Sequence, residues 1–204
     1  EWCFVVNALS YLAVIGALAA MRVPPADECG AAVATEGGFQ VVARRPGLRT
    51  LFVLASLAAI GGWPLLALLP SFADDILGRG QAGYGTILSA VGIGALCAAL
   101  TAASIGNDVR RKVLLLGGLL AVAAALVGLA LTRVLSVAAG CCVLFGFGMI
   151  LFFATGQTLV QLGTADADRG KVMGVWAMML SAGVPLGNLV FGPAADVFTV
   201  PPVV

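Results

Sequence analysis

From Val113 to Leu131 the chain runs without a single polar side chain. As a helix rising 1.5 Å per residue, that stretch matches the roughly 30 Å of a bilayer's hydrocarbon core. A helix apolar all round has to be buried in a large core or in lipid. The rest of the chain shows which. Of 204 residues, 61% are hydrophobic and 10% charged, whereas soluble domains carry about 25% charged residues. A water-soluble globular domain is excluded, and so is disorder, which needs a chain poor in apolar residues. At about 20 residues per span plus short loops, the length holds roughly six membrane helices.

The apolar segments are Trp2–Met21, Leu48–Phe72, Gly83–Ile105, Val113–Leu131, Leu135–Leu162 and Val172–Phe191. Between them lie a polar stretch, Arg22–Gly47, and loops carrying Asp74-Asp75 with Arg79, Gly106–Lys112, Arg133, and Gly163–Lys171. The runs are continuously apolar, which excludes a membrane β-barrel, whose strands alternate over about ten residues. The expected fold class is all-α integral membrane, with about six transmembrane helices.

Positive charge orients them. Arg22, Arg44, Arg45, Arg49, Arg110, Arg111, Lys112, Arg169 and Lys171 fall in the first, third and fifth loops, and only Arg79 and Arg133 in the second and fourth. By the positive-inside rule, loops 22–47, 106–112 and 163–171 are cytoplasmic and both chain ends lie outside. The chain begins at Glu1 inside an apolar run and stops outside after a sixth span, as expected of a piece of a longer protein.

Composition also removes chemistries. There is no histidine, which excludes Ser-His-Asp hydrolases, HExxH zinc sites and His proton relays. A net charge of +1 offers no basic surface to nucleic acid. Cys3, Cys29, Cys97, Cys141 and Cys142 form no CxxC pair and read as small buried apolar residues. Gly78-Arg79-Gly80-Gln81-Ala82-Gly83 spells GxGxxG but lacks the strand-turn-helix setting that binds dinucleotides. No P-loop is present, so ATP is not used by this chain, and no cofactor or metal is expected.

The second, third, fifth and sixth segments carry sparse polar residues at helical spacing, among them Thr86 and Ser89, Thr101 and Ser104, Gln157, Gln161 and Thr164, and Ser181 and Asn188. Each set falls on one stripe. Two readings stand, hydrogen bonding within or between helices and the lining of a water-filled path. No Asp, Glu, Lys or Arg lies deep in a span, so a proton-coupling acid is not expected in this chain. Gly92, Gly94, Gly106, Gly140, Gly146 and Gly148 are candidates for close helix approach. Gly61-Gly62 with Pro64, and Pro185 with Gly187, are candidate kinks.

Several stretches resemble the major facilitator superfamily from its sixth helix through its eleventh. Trp2-Cys3-Phe4 with Asn7-Ala8-Leu9-Ser10-Tyr11-Leu12 is similar to the sixth helix of the bacterial drug and siderophore exporter branch, which includes the enterobactin exporter. Arg44-Arg45-Pro46-Gly47-Leu48-Arg49 resembles the entry to helix seven, and Asp168-Arg169-Gly170-Lys171-Val172-Met173-Gly174 the loop before helix eleven. Gly183-Val184-Pro185-Leu186-Gly187 and Gly192-Pro193-Ala194-Ala195-Asp196 resemble helix eleven and its exit. The resemblance implies one half of a twelve-helix fold, truncated at both ends. Residues 1–21 would be the last helix of the N-terminal half, 22–47 the cytoplasmic loop between halves, and 48–204 an incomplete five-helix C-terminal bundle. The superfamily's ninth helix is peripheral, and the segment in its place is the one without polar residues.

The resemblance further implies a secondary transporter in a bacterial inner membrane. It would export small amphipathic compounds by alternating access driven by a proton gradient, together with the missing N-terminal half. Trp63, Ser89, Gln157, Gln161, Ser181 and Asn188 are the expected wall of the substrate path. The loop Gly106-Asn107-Asp108-Val109-Arg110-Arg111-Lys112 resembles the superfamily's Gly-Asp-Arg-rich loop, without its second glycine. That implies gating by Asp108, Arg110 and Arg111; the other reading is a solvated basic loop. Two further classes compete. A lipid- or isoprenoid-processing membrane enzyme needs clustered acids, yet the pairs Asp74-Asp75 and Asp166/Asp168 lack partners. A truncated, non-transporting membrane fragment is the third.

Overall fold

In a computed structural model the described residues are 2–20, 37–104 and 108–198. All the secondary structure among them is helical, as it must be where lipid offers backbone groups no partner. The chain divides into two compact units, Glu1–Thr35 and Glu36–Val204. The first contains α1 (Trp2–Ala20), in which Ser10 donates to the Asn7 carbonyl at 2.6 Å.

The second unit holds α2 (Gly38–Arg44), α3 (Pro46–Gly62), α4 (Pro64–Ser71), a π-helical stretch (Phe72–Ile76), α5 (Gly80–Ser104), α6 (Asp108–Leu131), α7 (Leu135–Leu162) and α8 (Asp166–Phe198). Five stretches among the described residues are long and apolar enough to cross a membrane: Pro46–Ile76, Gly80–Ser104, Arg111–Leu131, Leu135–Leu162 and Asp166–Val190. They correspond to the last five of the six expected spans, and the first expected span is the helix α1.

Several boundaries differ from the sequence reading. Residues 38–44, inside the expected loop 22–47, form α2, whose Val41 and Val42 are buried. The Gly37 N–H donates to Gln40 Oε1 at 3.3 Å and closes its first turn. Asp166 to Lys171, read as loop, opens α8. Asp166 and Asp168 face the positive end of the helix dipole and pair with Arg169 at 2.6 Å and Lys171 at 3.7 Å. The second span breaks at Trp63 because Pro64 has no N–H for the Ile60 carbonyl. Pro185, by contrast, sits within one continuous α8.

α7 is the hub. Half of its apolar window is buried (50%), against 22% for α5 and for α8, and it packs most extensively with α5 and α6. Glycines make these approaches possible. A Cβ on Gly94 of α5 would strike the Val143 carbonyl, and one on Gly146 of α7 the Val91 carbonyl. Gly118 of α6 and Gly148 of α7 face each other, with a Gly118 Cβ 2.8 Å from the Gly148 oxygen. Gly183 lies on Ala59, and Gly187 on Pro64 and the Ile60 carbonyl, bringing α8 against the break between α3 and α4. Gly92 and Gly140, also candidates, face open space, and Gly106 lies outside the described residues. α6 turns Leu116, Leu120, Val127 and Leu131 outward, the lipid-facing surface expected of a helix apolar all round.

The GxGxxG stretch has a structural account. Gly78 and Gly80 take φ of 60° and 53°, the left-handed region that suits glycine, in the turn from the π-helical stretch into α5.

Candidate functional site

An aromatic cluster marks where α3, α7 and α8 meet. Phe52 and Trp176 meet edge to face at 5.3 Å, and Phe153 meets Trp176 at 6.5 Å and Phe152 at 5.2 Å. Trp63, at the break in the second span, stacks on Phe153 with centroids 5.9 Å apart and planes at 23°. Gly156 leaves room for the Trp176 ring, whose Cη2 lies 3.2 Å from where a Cβ would stand. Two indole N–H groups of the cluster, Trp63 Nε1 and Trp176 Nε1, are buried without a hydrogen-bond partner, as is Thr155 Oγ1 on α7. A buried polar group left unpaired costs about 1–3 kcal/mol, so gaining a partner at any of them would be stabilising.

From this cluster a line of side chains runs down α7. Phe153, Gln157 and Gln161 are four residues apart and share a face. Gln157 is exposed and Gln161 half-buried. Three of the six expected wall residues, Trp63, Gln157 and Gln161, thus lie on one line toward the end of the bundle that carries Arg45 and Lys112. The other three are exposed on separate helices: Ser89 on α5, and Ser181 and Asn188 on α8. On α8, Ser181 and Asn188 project away from Val175, Met179 and Leu186, which face α3 across a groove.

The other polar positions on the stripes serve the backbone. Thr86 donates to the Ala82 carbonyl, Thr101 to Cys97, Ser104 to Thr101 and Thr164 to Val160, at 2.7–2.9 Å. The first three bonds stay within one helix, and the fourth ties the turn after α7 back to its last turn, so none of the four reaches another helix.

Two grooves indent the second unit. One, of about 530 Å³, lies between α3 and α8 with Phe52, Val53, Leu57, Met178, Met179 and Leu186 on its walls. The other, of about 690 Å³, lies at the basic end between α3, α6 and α7. Neither includes an expected wall residue. Of the expected gating residues, Arg111 is half-buried and engaged with a partner. The side chains of Asp108 and Arg110 lie outside the described residues. Among the described residues no three His, Cys, Asp or Glu side chains gather as a metal ion would require.

Phe153, Phe52, Trp176 and Thr155 were not among the expected site residues. Of these only Phe153 carries a signal in sequence, standing four residues before Gln157 at helical spacing.

Five apolar spans and glycine-mediated crossings define a multi-pass membrane protein. The chain belongs to the transmembrane secretion effector family of the major facilitator superfamily, whose model matches residues 1–203. No curated protein matches it significantly, nor does any solved structure.

Proposed function

We propose that the protein is a secondary active transporter of the drug and siderophore exporter branch. It exports small amphipathic compounds by alternating access, in a bacterial inner membrane, with loops 22–47, 106–112 and 163–171 in the cytoplasm. The observation that carries this reading is the line Trp63–Phe153–Gln157–Gln161. It offers an apolar ring stack, an unpartnered indole N–H and two amides on the helix that packs most against its neighbours. Such a surface suits ligands with an apolar body and few polar groups. Ser89, Ser181 and Asn188 are proposed for the flanks of the same path, and Asp108, Arg110 and Arg111 for gating at its cytoplasmic end. The proton gradient acts through an acid on the partner half of the twelve-helix fold, since the spans described carry ionisable residues only toward their ends.

Everted membrane vesicles carrying the protein test the proposal. On energisation they should take up a lipophilic cationic dye or an aromatic siderophore, and a protonophore should abolish the uptake. Uptake no greater than in control vesicles across such a panel, with the protein present in the membrane, would count against it.

A further inference from the structure

The groove at the basic end has the chemistry of an amphiphile's site. Its walls are Leu51 and Leu54 of α3, Leu115 and Leu116 of α6, and Leu159 of α7. Its rim carries Arg44, Arg45 and Lys112 and, among the described residues, no acid. Arg45 Nη1 donates to the Gly163 carbonyl at 2.8 Å, which fixes the guanidinium at the rim. A guanidinium has five N–H donors, more than one carbonyl uses. Lys112 is exposed.

The groove also opens onto the bilayer. Leu116 is both a wall residue and 56% exposed, and one turn on Leu120 is 70% exposed. Both belong to α6, the helix with an outward apolar surface. An occupant therefore enters from lipid, with its apolar part against leucine and its head at the cations. We infer that this groove binds an anionic phospholipid of the cytoplasmic leaflet, its phosphate held by Arg45 and Lys112 with Arg44 beside them, and its acyl chains lying between α3 and α6. Basic pockets between membrane helices on the cytoplasmic side are suited to such headgroups. The site is separate from the Trp63–Gln161 line, so it stands or falls independently of the transport proposal.

Lipid retention by the purified protein, read by native mass spectrometry, tests this. Phosphatidylglycerol and phosphatidylcholine with the same acyl chains are supplied in turn. Phosphatidylglycerol should be retained preferentially, and less so as salt rises. Lys112→Gln should weaken its binding about fivefold and leave phosphatidylcholine unchanged, while Lys112→Arg keeps the preference. Leu116→Trp, which fills the groove with every charge intact, should lower phosphatidylglycerol retention as well. A melting temperature equal to wild type for Lys112→Gln assigns its loss to binding rather than folding. Equal retention of the two lipids would overturn the inference. So would a preference that survives both Lys112→Gln and Leu116→Trp, or displacement of the lipid by soluble glycerol phosphate at matched concentration.

Discussion

The carbonyl of Val143 occupies the place where a Cβ on Gly94 would stand, so α5 and α7 touch backbone to backbone. Gly94→Ala should force the helices apart and destabilise the protein by about 1–3 kcal/mol, as overpacking does. Gly92→Ala, two residues away over open space, should be neutral or slightly stabilising, because alanine is the better helix former. Thermal melts in detergent distinguish the two. Equal melting temperatures would show that the close approach is not needed.

Trp63 offers a cleaner separation of packing from polarity. Trp63→Phe keeps a ring on Phe153 and removes the unpartnered indole N–H. Stability should fall by less than for Trp63→Ala, because a smaller ring remains on Phe153 and an unpaired buried donor is removed. Trp63→Ala should cost about 3–5 kcal/mol. If the N–H bonds substrate, Trp63→Phe lowers transport of hydrogen-bonding substrates more than of apolar ones, read as a change in their ratio.

Gln157→Leu should leave membrane insertion and melting temperature near wild type, because the residue is exposed and makes no side-chain hydrogen bond among the described residues. Transport should fall about fivefold to tenfold, which is what losing one hydrogen bond of about 1–1.5 kcal/mol implies. Wild-type transport of every substrate tested would remove Gln157 from the path.

Water access separates the two kinds of exposed surface. Single cysteines at Ser181 or Asn188 should react with a water-soluble maleimide, and cysteines at Leu120 or Val127 on α6 should not. Equal reactivity at all four positions would contradict the assignment of α6 to lipid and α8 to the path.

The spans were legible because apolar runs of membrane length have only helical solutions in lipid. Their ends were less so. Asp166–Lys171 is as polar as a loop, but its acids and bases sit three apart and stabilise the first turns of α8. α2 was hidden because it is short and its two buried valines pack on elements distant in sequence. Gly92 and Gly94 look alike in sequence, and only the position of α7 decides which is a contact. The same limit applies to the site. The four-residue spacing of Gln157 and Gln161 was visible, whereas the stacking of Trp63 on Phe153 joins residues on different helices. Hydroxyls such as Thr101 resembled path residues until their bonds to their own helices were seen.

The packing of α7 bears on how the protein is made. α5 and α6 are consecutive, yet among the described residues they scarcely touch, and each rests its glycine face on α7. Synthesis delivers α5 and α6 to the bilayer first. Until α7 leaves the ribosome, both wait with their contact faces against lipid or against the insertion machinery. Assembly of this region is therefore timed by the arrival of its third helix. A ribosome pause between Leu131 and Leu135 would prolong the interval in which quality-control proteases meet two unpaired helices.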